Sequence, residues 1–187
     1  MDAPERRFAF HDVEVTAFAL DHQAPCYGFA FLLKRPGKFD PVRARALGVP
    51  TVCWRALQSG ESVMVDGECI TPDQVLGPAR KGIKLAYCTD TRVTDAIVTH
   101  AKNADLLICE GTYGEDAKAE KADLHGHMTF SQAAGRANRA GARELLLTHF
   151  SPATGDPLDH IDLARDVFPN TGVAQDLLCR TMLFENG

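Results

Sequence analysis

The stretch that decides the fold runs from 84 to 151 and contains KLAYC (84–88), DLLIC (105–109) and ELLLT (144–148). Short apolar runs of this kind, separated by helical patterns, are typical of buried parallel strands. Each run leads into an ionisable side chain, and the three are Asp90, Glu110 and His149. Because parallel strands of an open α/β sheet end at the same edge, we expect these three side chains to meet in one crevice.

Helix signals lie between and after these strands. The spacing Thr129-x-x-Gln132 is a capping box that opens a helix, and Gly141 ends it. Further helices are predicted over 94–103 and near 158–167. Strands that alternate with helices indicate parallel pairing in this half of the chain.

The first half has a different pattern. Alternating segments at 8–10, 13–20 and 27–33 predict an antiparallel meander, and Asp66-Gly67 predicts a hairpin within 62–70. The fold class is therefore α/β, with a mixed parallel and antiparallel sheet covered by helices.

Composition excludes several functional classes. The 187 residues include 20 basic and 25 acidic side chains, so a general basic coat for nucleic acid is excluded. No apolar run approaches the roughly 20 residues of a membrane span, and the first residues lack the apolar core of a secretory signal. Six scattered cysteines without a C-x-x-C pair favour reduced thiols and a cytoplasmic location.

One local segment is strongly basic. Asp40 can cap a short helix with Pro41 at its first position and Gly48 as its stop. The segment carries five basic residues, Lys34, Arg35, Lys38, Arg43 and Arg45. Charge alone favours a solvated surface helix, and a local nucleic-acid contact is the other interpretation.

Histidines add a possible metal site. Neutral imidazoles with a carboxylate are the usual ligands of catalytic zinc, and His22, His149 and Asp90 are the candidate set. His125 and His127 precede the capping-box helix and could both face the same pocket. Spacing alone leaves a metal site and ordinary structural roles about equally open. The chain has no G-x-S-x-G elbow, P-loop or G-x-G-x-x-G motif, and two strand-ending cysteines, Cys88 and Cys109, suit core positions.

The sequence resembles ribonuclease Z, the tRNA 3′-processing endonuclease of the metallo-β-lactamase superfamily. The matching segments occur in one order over nearly the whole chain: His22 with Tyr27-Gly28-Phe29, Pro36-Gly37-Lys38-Phe39, Leu47-Gly48-Val49-Pro50, Leu57-Gln58-x-Gly60-Glu61, Leu76-Gly77-Pro78, Ala86 to Arg92 with its Asp-Thr-Arg motif, Glu110-Gly111-Thr112-Tyr113, His127-Met128-Thr129, and Leu147 to Ser151.

This resemblance implies an αββα sandwich that binds two zinc ions. By the same resemblance His22 and His149 are ligands of different zinc ions, and Asp90 is the carboxylate that bridges them. His127 corresponds to the family's catalytic histidine, and Glu110 to the acid that orients it. Two metals would generate hydroxide and hold the phosphate for in-line cleavage.

The resemblance also assigns partners. Segment 34–50 corresponds to the arm that grips precursor tRNA, inserted into a single domain over 1–187, so Lys34, Arg35, Lys38, Arg43 and Arg45 are expected to bind RNA. The family is typically homodimeric, one arm presenting tRNA to the other subunit's site. No membrane is involved.

The sequence departs from the family pattern in two respects. The signature H-x-H-x-D-H is absent, so the chain corresponds to the carboxyl-terminal part of the family, with an incomplete zinc-ligand set and a sheet face left without its partner. We therefore expect weak zinc binding and little cleavage from the isolated chain. Thr51-Val52-Cys53 also replaces the Gly-Pro pair that follows the arm, and Cys109 replaces a histidine. The alternatives are a hydrolase of another phosphodiester or ester, and an inactive tRNA-binding remnant.

Overall fold

The computed structural model describes residues 5–185. Its strands are β1 (Arg6–Phe10), β2 (Val13–Leu20), β3 (Cys26–Arg35), β4 (Val63–Val65), β5 (Glu68–Ile70), β6 (Arg80–Cys88), β7 (Leu106–Glu110), β8 (Leu145–Thr148) and β9 (Thr171–Val173). Its helices are α1 (Pro41–Ala46), α2 (Trp54–Gln58), α3 (Pro72–Val75), α4 (Asp95–His100), α5 (Ala119–His125), α6 (Phe130–Ala140) and α7 (Ile161–Val167).

Seven strands form one mixed sheet in the order β1-β2-β3-β6-β7-β8-β9. The pairs β1–β2 and β2–β3 are antiparallel, whereas β6, β7, β8 and β9 pair in parallel. The predicted division into an antiparallel first half and a parallel second half is confirmed. The parallel strands place the segments that follow β6, β7 and β8 at one edge.

Local signals located several element ends correctly. Thr129 and Gln132 make the reciprocal bonds of a capping box at the start of α6, and Gly141 ends that helix in the left-handed region at φ 63°. The hairpin of β4 and β5 turns at Asp66 and Gly67, both with positive φ. These elements follow from contacts within a few residues, which sequence patterns capture.

Other elements were not predicted. Residues 119–125, just before His127, form α5, which Gly126 ends at φ 84°. Helices α2 and α3 and strand β9 were also missed. All four elements have three to seven residues, which is too short for a clear hydrophobic period.

One face of the sheet carries the main core. Helices α4, α6 and α7 cover side chains that include Phe18, Leu107 and Leu147, all almost completely buried. The opposite face presents aromatic rings that stay partly open to solvent, such as Tyr27 at 42% exposure and Phe8 at 52%. On this face Val15, Leu106 and Leu146 are buried, whereas the rings at β1 and the start of β3 stay exposed.

The chain divides into two compact units. Among the described residues, the first comprises 5–33 and 83–183, and the second comprises 34–82 with 184–185, so the second includes the predicted arm. The second unit has its own small core, formed by Ala44, Val49, Leu57, Ile70 and Val75. Within residues 5–185, no helix has both the length and the apolar character needed to cross a membrane.

Candidate metal centre

The candidate site lies at the edge where the parallel strands end. Glu110 is the last residue of β7 and pairs in register with Thr148, which directly precedes His149. Asp90 follows β6 by two residues, and β6 and β7 run in parallel with Cys88 opposite Cys109. His149 has a positive φ of 60°, a turn that redirects the chain at the end of β8.

Glu110 connects several segments of the site through its hydrogen bonds. Its carboxylate is completely buried and has five hydrogen-bond partners. Oε1 accepts from the backbone N–H of Thr91 at 2.7 Å and from Nδ1 of His127 at 2.9 Å. Oε2 accepts from the N–H of Thr112 at 3.1 Å, its hydroxyl at 2.7 Å, and the N–H of Met128 at 3.2 Å. Because an ionised carboxylate only accepts hydrogen bonds, five donors converging on Glu110 are the arrangement that stabilises a buried negative charge.

These contacts determine which nitrogen of each histidine carries the proton. Nδ1 of His127 donates to Glu110, so its Nε2 keeps a lone pair. Nδ1 of His22 lies 3.0 Å from the carbonyl oxygen of Gly126, which can only accept, so Nε2 of His22 also keeps its lone pair. The rings of His22 and His127 are 5.2 Å apart, and those of His127 and His149 are 5.3 Å apart.

The arrangement suits a cation. Ligand atoms of Glu110, His127 and His149 lie within 4.8 Å of one another. Nε2 of His149 is 3.0 Å from Oδ1 of Asp90, where the side chains are 44% and 35% exposed. Neutral imidazole nitrogens beside a carboxylate are the donors that zinc and similar ions prefer. The donor set therefore suits a metal ion, and Glu110, His127 and His149 are the described residues whose ligand atoms cluster.

The structure separates some candidates from the site. His125 is the last residue of α5 and is exposed, and it lies outside the cluster, unlike its near neighbour His127. Gly126, in the left-handed region at φ 84°, ends α5 between the two histidines. His160 bonds the backbone of Thr154 through Nε2, which is an ordinary structural role.

Sequence reasoning missed the side chains and backbone groups that hold the site together. Thr112 contacts both Glu110 and His149 through its hydroxyl. Gly126 must lack a side chain, since a Cβ there would come within 2.5 Å of Nδ1 of His22. The triplet Glu110-Gly111-Thr112 directly after a strand was a visible signal, although it did not indicate a contact partner.

Cys88 and Cys109 lie under the site as core residues, as predicted, and both are fully buried. The pKa of the Cys109 thiol is raised well above its ordinary value, mainly by a hydrogen bond with Cys88 and secondly by burial. Both cysteines are free thiols, and the raised pKa keeps Cys109 protonated and unreactive.

The basic residues of the second unit have varied surroundings. The Arg35 guanidinium lies 5.0 Å from the Phe184 ring and bonds the carbonyl of Glu185 at 2.6 Å. Arg43 pairs with Asp40 at 3.3 Å. Arg45 lies over the ring of Trp54 at 5.5 Å. These residues stabilise the unit itself, whereas Lys34 and Lys38 are exposed.

Lys38 lines an open cavity of about 510 Å³ in the same unit. Its walls are mixed apolar, aromatic and basic, and include Phe39, Trp54, Gln58 and Arg80. Trp54 is fixed by a bond from Nε1 to the carbonyl of Val49 at 3.1 Å. Surfaces that bind single-stranded or unstacked nucleic acid usually combine rigid aromatic rings with basic side chains.

Comparison with known proteins supports the same family. A model of the β-lactamase superfamily domain matches residues 71–150. Ribonuclease Z of Lachnospira eligens is 48% identical over 163 residues, which are 87% of this chain and 54% of that protein. Ribonuclease Z of Clostridium acetobutylicum is 42% identical over 182 residues, 97% of this chain and 59% of that protein. The chain thus spans little more than half the length of these relatives.

Solved structures agree at the level of fold. The metallo-β-lactamase fold protein YhfI from Bacillus subtilis matches 92% of this chain and 51% of its own, with a TM-score of 0.57 and 21% identity. Human tRNase Z, short form, matches 95% of this chain and 46% of its own, with a TM-score of 0.55 and 23% identity. The resemblance predicted from the sequence is confirmed: this chain is a homologue of ribonuclease Z over most of its length and has a metallo-β-lactamase type of fold.

Proposed function

We propose that this chain belongs to a metal-dependent endoribonuclease that removes 3′ trailers from precursor tRNA and leaves a 3′-hydroxyl. The observation that carries the proposal is the convergence of His22, Asp90, His127 and His149 around the buried Glu110 carboxylate in a homologue of ribonuclease Z. The activity concerns the whole protein, of which this chain covers 54–61% in the first relatives compared.

His22, Asp90 and His149 would hold zinc. Bound zinc supplies a hydroxide at neutral pH and a positive charge for the phosphate oxygens. His127 moves the proton to the leaving oxygen in this scheme, because Glu110 accepts its Nδ1–H and leaves Nε2 to take up that proton and pass it on. Glu110 is a positioning residue in this scheme.

The site is tested with the 187-residue chain and a precursor tRNA, with and without added zinc or manganese. We expect His127→Ala to abolish any cleavage while cation binding persists, because the residue moves a proton rather than holding the metal. His125→Ala is the matched control, since His125 is two residues away and exposed. Equal loss in both variants would contradict the assignment of His127.

We also propose that the second unit binds the RNA, through Lys34, Lys38, Arg43 and Arg45 and less through Arg35, which contacts Phe184 and Glu185. Lys38 carries the test because it lines the cavity beside Trp54. Lys38→Ala should weaken tRNA binding and lower the salt slope by about one unit, as expected for one phosphate contact. Lys102→Ala, at an exposed position of the first unit, is the control.

The same variant addresses the substrate class. If the enzyme acts on another small phosphodiester or an ester, Lys38→Ala leaves that hydrolysis unchanged. If cleavage of tRNA and of a small phosphodiester falls equally, the tRNA assignment loses its support.

An inactive tRNA-binding remnant is the second candidate. Within this chain His22, Asp90 and His149 give neither ion of a two-zinc site a full tetrahedral ligand set, and the basic second unit could bind tRNA without cleavage. Salt-dependent tRNA binding without cleavage at any zinc or manganese concentration would identify it.

Homodimeric assembly and a cytoplasmic location belong to the same proposal. The six free thiols suit a reducing compartment. Exposed aromatic side chains on one face of the sheet, such as Phe8 and Tyr27, suit association, which sedimentation of the purified chain would measure.

A further inference from the structure

Thr112 lies between the two charged ends of the site. Its hydroxyl is 2.7 Å from Oε2 of Glu110 and 3.0 Å from Nδ1 of His149. The residue is only 6% exposed, and Glu110 is fully buried, so the contact between them is shielded from water. A hydroxyl has one proton to give and two lone pairs, so the two contacts cannot both receive its proton.

Two arrangements satisfy the geometry. In the first, Thr112 donates to Glu110 and accepts from Nδ1–H of His149, which leaves the Nε2 lone pair facing Asp90. In the second, Thr112 donates to Nδ1 of His149, and Nε2–H donates to Asp90 at 3.0 Å. The second arrangement leaves the oxygens of Thr112 and Glu110 2.7 Å apart with no proton between them.

Burial decides between the two arrangements. In the second arrangement the lone pairs of Thr112 and Glu110 would face each other in a fully buried environment. An unmade hydrogen bond of a charged group costs most free energy in such an environment. In the first arrangement the facing lone pairs belong to Asp90 and His149, whose side chains are 35% and 44% exposed. Water or a cation can therefore relieve their repulsion. The first arrangement is therefore the stable one for a neutral His149.

We propose that Thr112 is a positioning residue that fixes His149 as the Nδ1–H tautomer and so presents its Nε2 lone pair toward Asp90. Glu110 then orients two histidines: His127 by a direct bond, and His149 through the Thr112 hydroxyl. The tautomer follows from the hydrogen-bond network alone. The statement that this lone pair serves a metal rests on the proposed function.

The test combines nuclear magnetic resonance with cation binding on the 187-residue chain. At alkaline pH, where imidazole is neutral, the ¹⁵N shifts of His149 should report Nδ1–H in the parent chain and in Thr112→Ser. In Thr112→Val the hydroxyl is lost at nearly constant volume, and His149 should change to Nε2–H donated to Asp90. Thr171→Val is the matched control, because Thr171 is also buried and its hydroxyl bonds the carbonyl of Phe168.

Cation affinity provides the second measurement. Thr112→Val should bind zinc or cobalt about 10–100-fold more weakly than the parent chain, the usual effect of losing a partner of a ligating histidine. Thr112→Ser should restore most of the affinity, and Thr171→Val should leave it unchanged. Thermal unfolding of each variant shows whether the fold is intact.

Each outcome bears on one statement. An Nδ1–H tautomer of His149 that persists in a folded Thr112→Val chain would overturn the positioning role, as would a Thr112→Ser chain that behaves like Thr112→Val. A changed tautomer without any measurable cation binding in the parent chain would leave the positioning role intact and instead contradict the proposed metal function.

Discussion

Replacement of Glu110 by Gln is the sharpest perturbation of the site. The buried carboxylate accepts five hydrogen bonds, two at Oε1 and three at Oε2. A Gln amide has one oxygen, and we expect it to take the place of Oε2, where three donors converge. Its NH₂ group then faces the N–H of Thr91 and Nδ1 of His127. His127 can change tautomer and accept, whereas the backbone N–H of Thr91 cannot.

The magnitude follows from these contacts. One buried donor without a partner costs about 1–3 kcal/mol, and three bonds that lose their charged acceptor weaken by about 1 kcal/mol each. Removal of a buried charge recovers part of this cost. We therefore expect Glu110→Gln to lower the free energy of unfolding by about 3–5 kcal/mol, a large part of the roughly 5–15 kcal/mol typical of a domain.

Urea denaturation of the metal-free chain, followed by circular dichroism, measures the effect. The matched control is Glu144→Gln, because Glu144 forms a partly exposed ion pair with Arg180 that is worth about 0–1 kcal/mol. If Glu110→Gln lowers the free energy of unfolding no more than this control does, the structural role assigned to Glu110 is refuted. An unchanged tautomer of His127, whose Nδ1 should lose its proton in the variant, would refute it as well.

Three further predictions concern other parts of the chain. Gly126→Ala should weaken cation binding and lower the melting temperature more than Gly48→Ala. Both positions have positive φ, but only at Gly126 would the new Cβ meet His22, at 2.5 Å from Nδ1. Equal effects of the two variants in cation titrations and thermal melts would contradict this contact. Because the pKa of Cys109 is raised in the folded chain, the unfolded chain loses this thiol proton first as pH rises. The free energy of unfolding should therefore fall above about pH 8.5. In urea titrations over the same pH range, Cys109→Ala should lose less of its stability than the parent chain. Trp54 is the chain's single tryptophan, so tRNA bound at its cavity should quench the fluorescence and high salt should restore it; emission unaffected by saturating tRNA would place the RNA elsewhere.

Much of the fold could be predicted because its determinants are local. The run 105–109 shows a buried strand through its apolar residues alone, and the capping box at Thr129 specifies where α6 begins. Element ends shifted by a few residues: β6 begins at Arg80 rather than at Lys84, since the mixed sheet extends beyond the apolar run. Short elements such as β9 depend on neighbours that no local pattern reveals.

The candidate site could be predicted only in part. Parallel strands with ionisable residues after them predict that Asp90, Glu110 and His149 share an edge, and the structure places them there. Spacing alone gave His125 and His127 equal standing, although Gly126 ends α5 between them. Periodicity carries no information about which of the two meets Glu110, because that contact joins separate segments of the chain.

By itself, the sequence determined which residues could do chemistry and that they follow parallel strands, because strand ends follow from local apolar runs and alternation with helices indicates parallel pairing. Only the tertiary structure decided how these residues act together. Burial makes Glu110 a fixed acceptor, which in turn determines the direction of the proton on Thr112 and His127. Hydrogen-bond direction depends on the atoms within about 3 Å and on the exclusion of water, and both are set by segments distant in sequence.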